Sequence, residues 1–286
     1  MNIKPALTSS NIKEITSLVQ ANEALQCADH NTLVVFDLDD TLITPTEKFQ
    51  IYWKVLGNPE EDFIQEDIAF VQQIQHDFKI HEMNPKDVTL ESIYGERIAS
   101  KILSQSDFKP VEPCTLQIIK DLQMRSVKFI ALTFQNTGAR GEISCMQEWR
   151  IKKLLNVGID FGQNFKEQEI VFDAFSITNP HNTPMFYRGI LMTAHNFKGP
   201  VLKVFLDHIK WLPSNVIFFD DNKRQIESVE QEMIKCNISF QGYWYKGAKS
   251  LKPQPLDQEV VRLQFDYLKQ YNDILSMDEA VIRLQR

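Results

Sequence analysis

The sequence predicts an α/β fold: a parallel sheet flanked by helices, with a helical segment inserted behind the first main strand. Three observations carry this prediction. Short apolar runs, TLVVFDLD (32–39), VKFIALT (127–133) and NVIFFDD (215–221), alternate with stretches of helical periodicity, which is the rhythm of strand–helix–strand units. Two of these runs end in paired acids and the third in a hydroxyl. Residues 46–110 break the rhythm, with long helical patterns and few turns.

Taken in order, Asn11 followed by Glu14 is close to a capping box, and Ile12, Ile15, Leu18, Val19 and Leu25 fall near helical spacing. The pattern predicts a first helix to about residue 27. The run 32–36 then reads as a buried strand. In the insertion, Ile64, Ile68, Val71, Ile74 and Phe78 recur at helical steps, as do Ile93, Ile98, Ile102 and Leu103, with Pro59, Pro85, Pro110 and Pro113 as punctuation. The sheet rhythm resumes with a helix through Leu116, Ile119 and Leu122, the strand 127–133, and a helix through Met146, Trp149, Ile151, Leu154 and Leu155. EIVFDAF (169–175) and MFYRGILMTA (185–194) flank the turn-rich TNPHNTP (178–184), the pattern of a β-hairpin. A helix follows through Val201, Val204, Phe205 and Ile209, with Pro200 suited to its first turn. After the strand 215–221, the last element is a helix with Val261, Phe265, Leu268, Tyr271 and Leu275 on one face. This reading gives a sheet domain from residues 1–45 and 111–286, with the C-terminal helix packed on it, and a helical insertion at 46–110.

The bulk properties exclude several classes. With 286 residues, 43% apolar and 24% charged, the chain can bury a full core. A net charge of −7 gives no overall basic field for nucleic acid. Cys27, Cys114, Cys145 and Cys236 are widely spaced, which fits neither a zinc site nor a disulfide framework and points to a reducing compartment. No run of about 18 apolar residues marks a transmembrane helix. The first residues lack the apolar stretch of a signal peptide. A cytoplasmic location is the expectation.

The chemistry sits at the strand ends. Ligands of parallel α/β sheets bind beyond the carboxyl ends of the strands, where Asp37, Asp39, Thr133, Asp220 and Asp221 would fall. Like charges brought together there repel, and their desolvation is costly. A divalent cation offsets both, and hard carboxylate oxygens suit Mg²⁺.

At these residues the chain resembles the haloacid dehalogenase (HAD) superfamily. DLDDT (37–41) is similar to its DxDx(T/V) signature, Thr133 to its second motif, KGPVL (198–202) to the lysine of its third, and FFDD (218–221) to its fourth. The four occur in the family's order, over residues 31–45 and 113–245. The resemblance implies a Rossmann-like core, a helical cap at 46–110, and Mg²⁺-dependent hydrolysis of a phosphomonoester through an aspartyl-phosphate. It makes Asp37 the nucleophile and Asp39 the general acid/base, with the Asp39 backbone carbonyl also on the metal. Asp220, with Asp221 nearby, completes the metal shell. Thr133 and Lys198 bind the phosphoryl group, and Thr41 supports the loop. Asp39 points away from dehalogenases, which lack an acid there, and from P-type pumps, which carry threonine. A phosphomutase or phosphotransferase of the same chemistry is one alternative; a non-catalytic binding or effector module is another.

Several residues stay open on sequence alone. Lys203 rivals Lys198 as the phosphate-binding lysine. Asn136 and Asn222 are each either a substrate or metal contact or a turn residue, and Asn136 is the candidate for the substrate. The six histidines show no ligand spacing, and the four tryptophans read as packing residues. The C-terminal helix has a second reading as a membrane or partner surface. In the family, capped members tend to take small phosphorylated metabolites and open ones phosphoproteins; the hairpin at 170–194 could shape an open groove. FYRGILMTAHNFKGPVLKVFL (186–206) resembles a branch found among intracellular bacterial pathogens, some of whose members are effectors acting on host phosphotyrosine. That finer resemblance implies a phosphoprotein substrate and delivery into a host cell without an N-terminal signal.

Overall fold

A computed structural model describes residues 11–175 and 183–286. The strands are β1 (Ile12–Ile15), β2 (Thr32–Phe36), β3 (Ile43–Pro45), β4 (Phe108–Pro110), β5 (Lys128–Thr133), β6 (Glu169–Val171), β7 (Met185–Tyr187), β8 (Ile190–Met192), β9 (Asn215–Asp220) and β10 (Ser239–Tyr245). The helices are α1 (Asn22–Cys27), α2 (Glu47–Lys54), α3 (Pro59–Asp62), α4 (Gln65–Asp77), α5 (Leu90–Gln105), α6 (Thr115–Met124), α7 (Met146–Asn156), α8 (Lys198–His208), α9 (Lys223–Lys235), α10 (Gln258–Tyr271) and α11 (Met277–Leu284). The chain divides into two compact units.

The first unit takes in residues up to Ile43, Pro110–Thr137 and Gly158–Ser250. Its sheet has the order β1-β10-β9-β2-β5-β8-β7-β6 among the described residues. Pairing is parallel from β1 to β8 and antiparallel at β8–β7 and β7–β6. This is the mostly parallel, helix-flanked α/β sheet that the sequence predicts. β2 is buried along its whole length, and β9 along all but its first residue, which is why both read as unbroken apolar runs rather than alternating ones. Phe36, Phe219 and Tyr243 stack across three neighbouring strands, with centroids 5.1 and 4.9 Å apart. α8 and α9 cover one core through Val201, Leu202, Phe205, Ile226, Val229 and Met233.

Two local expectations are corrected. Residues 11–27 are not one helix. Ile12–Ile15 pairs in parallel with Gly242–Tyr245 at the sheet edge, and the capping box forms later, on Ser17 and Gln20, opening a short 3₁₀ turn at Leu18–Ala21. Edge pairing to a strand over 200 residues away overrides local periodicity. The expected hairpin arms do pair, β6 with β7, but most of the turn between them lies at 176–182, outside the described residues. The second arm is itself a hairpin: Arg188 and Gly189 both take positive φ, 45° and 85°, the requirement of a tight two-residue turn. At Gly189 a Cβ would also overlap the Phe161 carbonyl.

The second unit takes in Thr44–Lys109, Gly138–Val157 and Leu251–Arg286. The insertion is helical, as expected, but it does not stand alone and the C-terminal helix does not belong with the sheet. Val261, Phe265 and Leu268 of α10 share one core with Tyr52, Val71, Ile74, Tyr94 and Ile98. Phe265 lies 5.2 Å from Tyr52 and 5.4 Å from Phe78, ring to ring. An apolar stripe declares that it is buried, not what buries it. The predicted stripe to Leu275 is also broken. α10 ends at Asn272 in the left-handed conformation, and α11 starts with a capping box on Ser276 and Glu279. No helix among the described residues is long and apolar enough to cross a membrane.

Candidate active site

The site is assembled from the carboxyl ends of β2, β5 and β9, and from the first residue of α8. Phe36 is in register with Ala131 of β5 on one side and Phe219 of β9 on the other. Asp37 therefore leaves β2 beside Asp220, and its N–H donates to the Phe219 carbonyl at 2.8 Å. A tight loop follows. The Leu38 carbonyl accepts from the N–H groups of Thr41, Leu42 and Ile43 at 3.3, 2.9 and 3.0 Å. Asp40 takes φ 58° there, a conformation that short polar side chains tolerate. The loop folds Thr41 back, so that its Oγ1 donates to Asp37 Oδ2 at 3.3 Å.

Lys198 fills the space between the strand ends. Its Nζ lies 2.5 Å from Asp37 Oδ1 and 2.6 Å from Asp220 Oδ2. All three are buried, at 2%, 6% and 1% exposure. Two contacts from α9 set the start of α8: Lys198 N donates to Gln225 Oε1 at 3.0 Å, and Gly199 N to Ser228 Oγ at 3.2 Å. Lys203, the rival, is half-buried on α8 and pairs with Asp207 at 2.5 Å along its own helix. Of the two lysines, only Lys198 is placed among the carboxylates.

One carboxylate oxygen from each of Asp37, Asp220 and Asp221 lies within 4.8 Å of the others. Three carboxylates against one ammonium leave a formal excess of two negative charges. The electrostatics follow. Burial, with the charges of Asp220 and Asp221, holds the Asp37 carboxyl well above the usual carboxylate range, against the pull of Lys198. Burial raises Asp220 as well. Asp221 is pushed up to about 7, by burial and then by Asp220. For Lys198, burial works against the ammonium, but the charges of Asp220 and Asp37 more than offset it and hold its pKa above the ordinary lysine value. All-oxygen donors in a buried site with that charge excess fit a hard divalent cation of the Mg²⁺ kind.

The other predicted residues lie on the loop after β2, at the end of β5 and at the start of α9. Asp39 lies on the same loop, half-buried, outside the three-carboxylate group, and Asp40 is exposed. Thr133 is buried at the end of β5, its carbonyl accepting from Thr193 N at 2.9 Å. Asn136, three residues on, carries a buried Oδ1 with no hydrogen-bond partner among the described residues. Asn222 caps α9 through Arg224 N, the turn role. Sequence reasoning missed Gln225, Ser228 and Trp244. Trp244 donates from Nε1 to the Asp221 backbone oxygen at 2.9 Å. Register across two strands is what brings it there, and no local pattern encodes that.

Among known proteins, the chain is similar to two uncharacterized proteins of Rickettsia prowazekii. One is 23% identical over 86% of this chain and 80% of the relative; the other is 25% identical over 96% and 87%. A solved HAD family enzyme of Bacteroides thetaiotaomicron, described as a magnesium complex, aligns at 16% identity over 74% of this chain and 92% of that chain, with a TM-score of 0.34. Residues 8–281 match the family described as Protein of unknown function (DUF2608), and the chain belongs to that family.

Proposed function

We propose that the protein is a Mg²⁺-dependent phosphomonoester hydrolase that works through an aspartyl-phosphate on Asp37. One observation carries the reading: Lys198 is clamped between two buried carboxylates, with a third close enough to share a cation. Holding mutually repelling acids together out of water is costly. A chemical use for the excess charge accounts for that cost, and a non-catalytic module has no such use.

In this mechanism Asp37 attacks phosphorus, forming the acyl-phosphate bond as the ester oxygen departs. Asp39, on the more exposed part of the loop, gives its proton to the leaving oxygen. It then takes one from the water that attacks the phosphoenzyme, and inorganic phosphate and the restored Asp37 carboxylate result. Lys198 lowers the repulsion between Asp37 and the incoming anion. Thr133 and Asn136 hold phosphoryl oxygens through their hydroxyl and amide donors. When bound by Asp37, Asp220, Asp221 and the Asp39 carbonyl, Mg²⁺ supplies positive charge to the phosphoryl group.

The substrate is a phosphorylated metabolite or a protein phosphotyrosine, and an aromatic edge favours an aryl ester. Phe134 directly follows Thr133 and Phe197 directly precedes Lys198; both are exposed large apolar side chains. Phe134 stands edge-on to His195 at 4.7 Å. Such rings offer a planar leaving group a stacking surface.

A screen of phosphorylated metabolites and phosphotyrosine peptides tests both parts. Wild-type protein with Mg²⁺ should release inorganic phosphate from at least one class, and Asp37→Asn should fall to background with its fold intact. Retained turnover in Asp37→Asn would remove the nucleophile. Phosphate that moves to an acceptor without appearing free would establish the phosphotransferase alternative.

A further inference from the structure

Trp244 lies in β10, one strand beyond β9, in register with Asp220. Lys198 engages Asp37 and Asp220 directly, whereas Asp221 is the one carboxylate of the three outside its hydrogen bonds. Asp221 is also the first residue past the end of β9, so the ladder no longer fixes it. Its peptide is held from both sides: the indole N–H of Trp244 donates to the Asp221 carbonyl oxygen at 2.9 Å, and the Asn222 N–H of the same peptide donates to Asp220 Oδ1 at 2.7 Å. The ring is in turn ordered by two ammonium groups. Lys246 Nζ lies 3.8 Å from the ring centroid and Lys223 Nζ 5.4 Å. Lys246 is tied back to Glu14 of β1 at 2.9 Å. A chain of contacts thus runs from the sheet edge to the third carboxylate, through a side chain that cannot itself ligate a cation.

We infer that Trp244 is a positioning residue for the cation site: it aims the Asp221 carboxylate by holding the peptide that carries it, and its indole senses occupancy. The inference rests on the reading that Asp37, Asp220 and Asp221 bind a divalent cation. Partners one step behind the ligands typically change metal affinity about 10–100-fold when removed. Phenylalanine keeps an aromatic face against the lysines and removes the N–H donor together with one ring of the indole.

The test is Mg²⁺ titration of thermal stability and tryptophan emission, starting from protein stripped with EDTA. In the wild type, Mg²⁺ should raise the melting temperature and change the emission. In Trp244→Phe the metal-free melting temperature should stay close to wild type, the half-saturating Mg²⁺ concentration should rise about tenfold or more, and the emission response should be lost. Asp220→Asn should lose both responses. A Trp244→Phe protein with wild-type half-saturation overturns the role of Trp244 and leaves the cation reading standing. A wild type that does not respond to Mg²⁺ overturns the cation reading, and the inference with it. Should Trp244→Phe fail to fold, the indole ¹⁵N–¹H spectrum of the wild type decides. With Trp53, Trp149 and Trp211 assigned by single substitutions, the remaining signal must move on Mg²⁺ addition; a stationary signal overturns the inference.

Discussion

At the scale of single residues, Asp221 makes the site pH-dependent. Its carboxyl in the folded, metal-free protein is pushed up to about 7, against an ordinary carboxylate value of about 4. Between those two values the folded protein holds a proton that the unfolded chain has released. Metal-free stability should therefore fall as pH rises from about 4 to about 7. Cation binding must expel that proton, so Asp221 alone should weaken the apparent Mg²⁺ affinity by about tenfold for each pH unit below about 7. Asp37 and Asp220 are raised too, so one proton is the least the slope can report. Thermal-shift titrations from about pH 5.5 to about pH 8.5 measure it; an affinity independent of pH would mean that Asp221 is not a ligand. The acids themselves were legible in the sequence, because a buried strand that ends on charge is anomalous. The lysine was not. Lys198 and Lys203 sit on the same helix in similar sequence, and only the closure of α8 onto α9 through Gln225 and Ser228 puts the first inside and leaves the second half-buried and paired to Asp207.

At the scale of elements, that closure depends on Gly199. Ordinarily alanine in place of a helical glycine stabilises by up to about 1 kcal/mol. Here an added Cβ would overlap the backbone oxygen of Ser228, and backbone cannot swing away as a side chain can. Gly199→Ala should instead destabilise by about 1–3 kcal/mol. It should also lower phosphate release, because α8 must back off and carry the Lys198 ammonium away from Asp37. Urea denaturation beside a phosphate-release assay checks both; a more stable, fully active variant would show that α8 tolerates the shift. Elements follow the same division between legible and hidden. β2, β5, β9, α6 and α8 could be read from their runs because burial in the sheet unit imposes a period, and α7 because Met146 and Trp149 pack with Leu103 and Ile143 of its own unit. β1 could not: four residues, IKEI, carry no strand signal beyond the partner they find in β10. The kink of α5 at Gly95, where φ is 76°, was equally hidden, since the apolar positions continue on both sides of it.

At the scale of the whole molecule, the proposed chemistry and the helical unit draw on different parts of the chain. Asp37, Thr133, Lys198, Asp220 and Asp221 all belong to the sheet unit, whereas α10 completes the core of the other unit, which also draws on α2, α4 and α5. The sequence had placed α10 with the sheet because its stripe names no partner. Phe265 separates the two possibilities. It is buried against Tyr52 and Phe78, so Phe265→Ala leaves a cavity among aromatic rings and should cost about 3–5 kcal/mol. The melting temperature of the EDTA-treated protein should drop accordingly. The half-saturating Mg²⁺ concentration should not change, because every cation ligand keeps its neighbours in the sheet unit. Calorimetry with and without Mg²⁺ measures the two quantities on one sample. A lost Mg²⁺ response in Phe265→Ala would mean that the carboxylate cluster needs an intact helical unit, and α10 would then count as part of what builds the site.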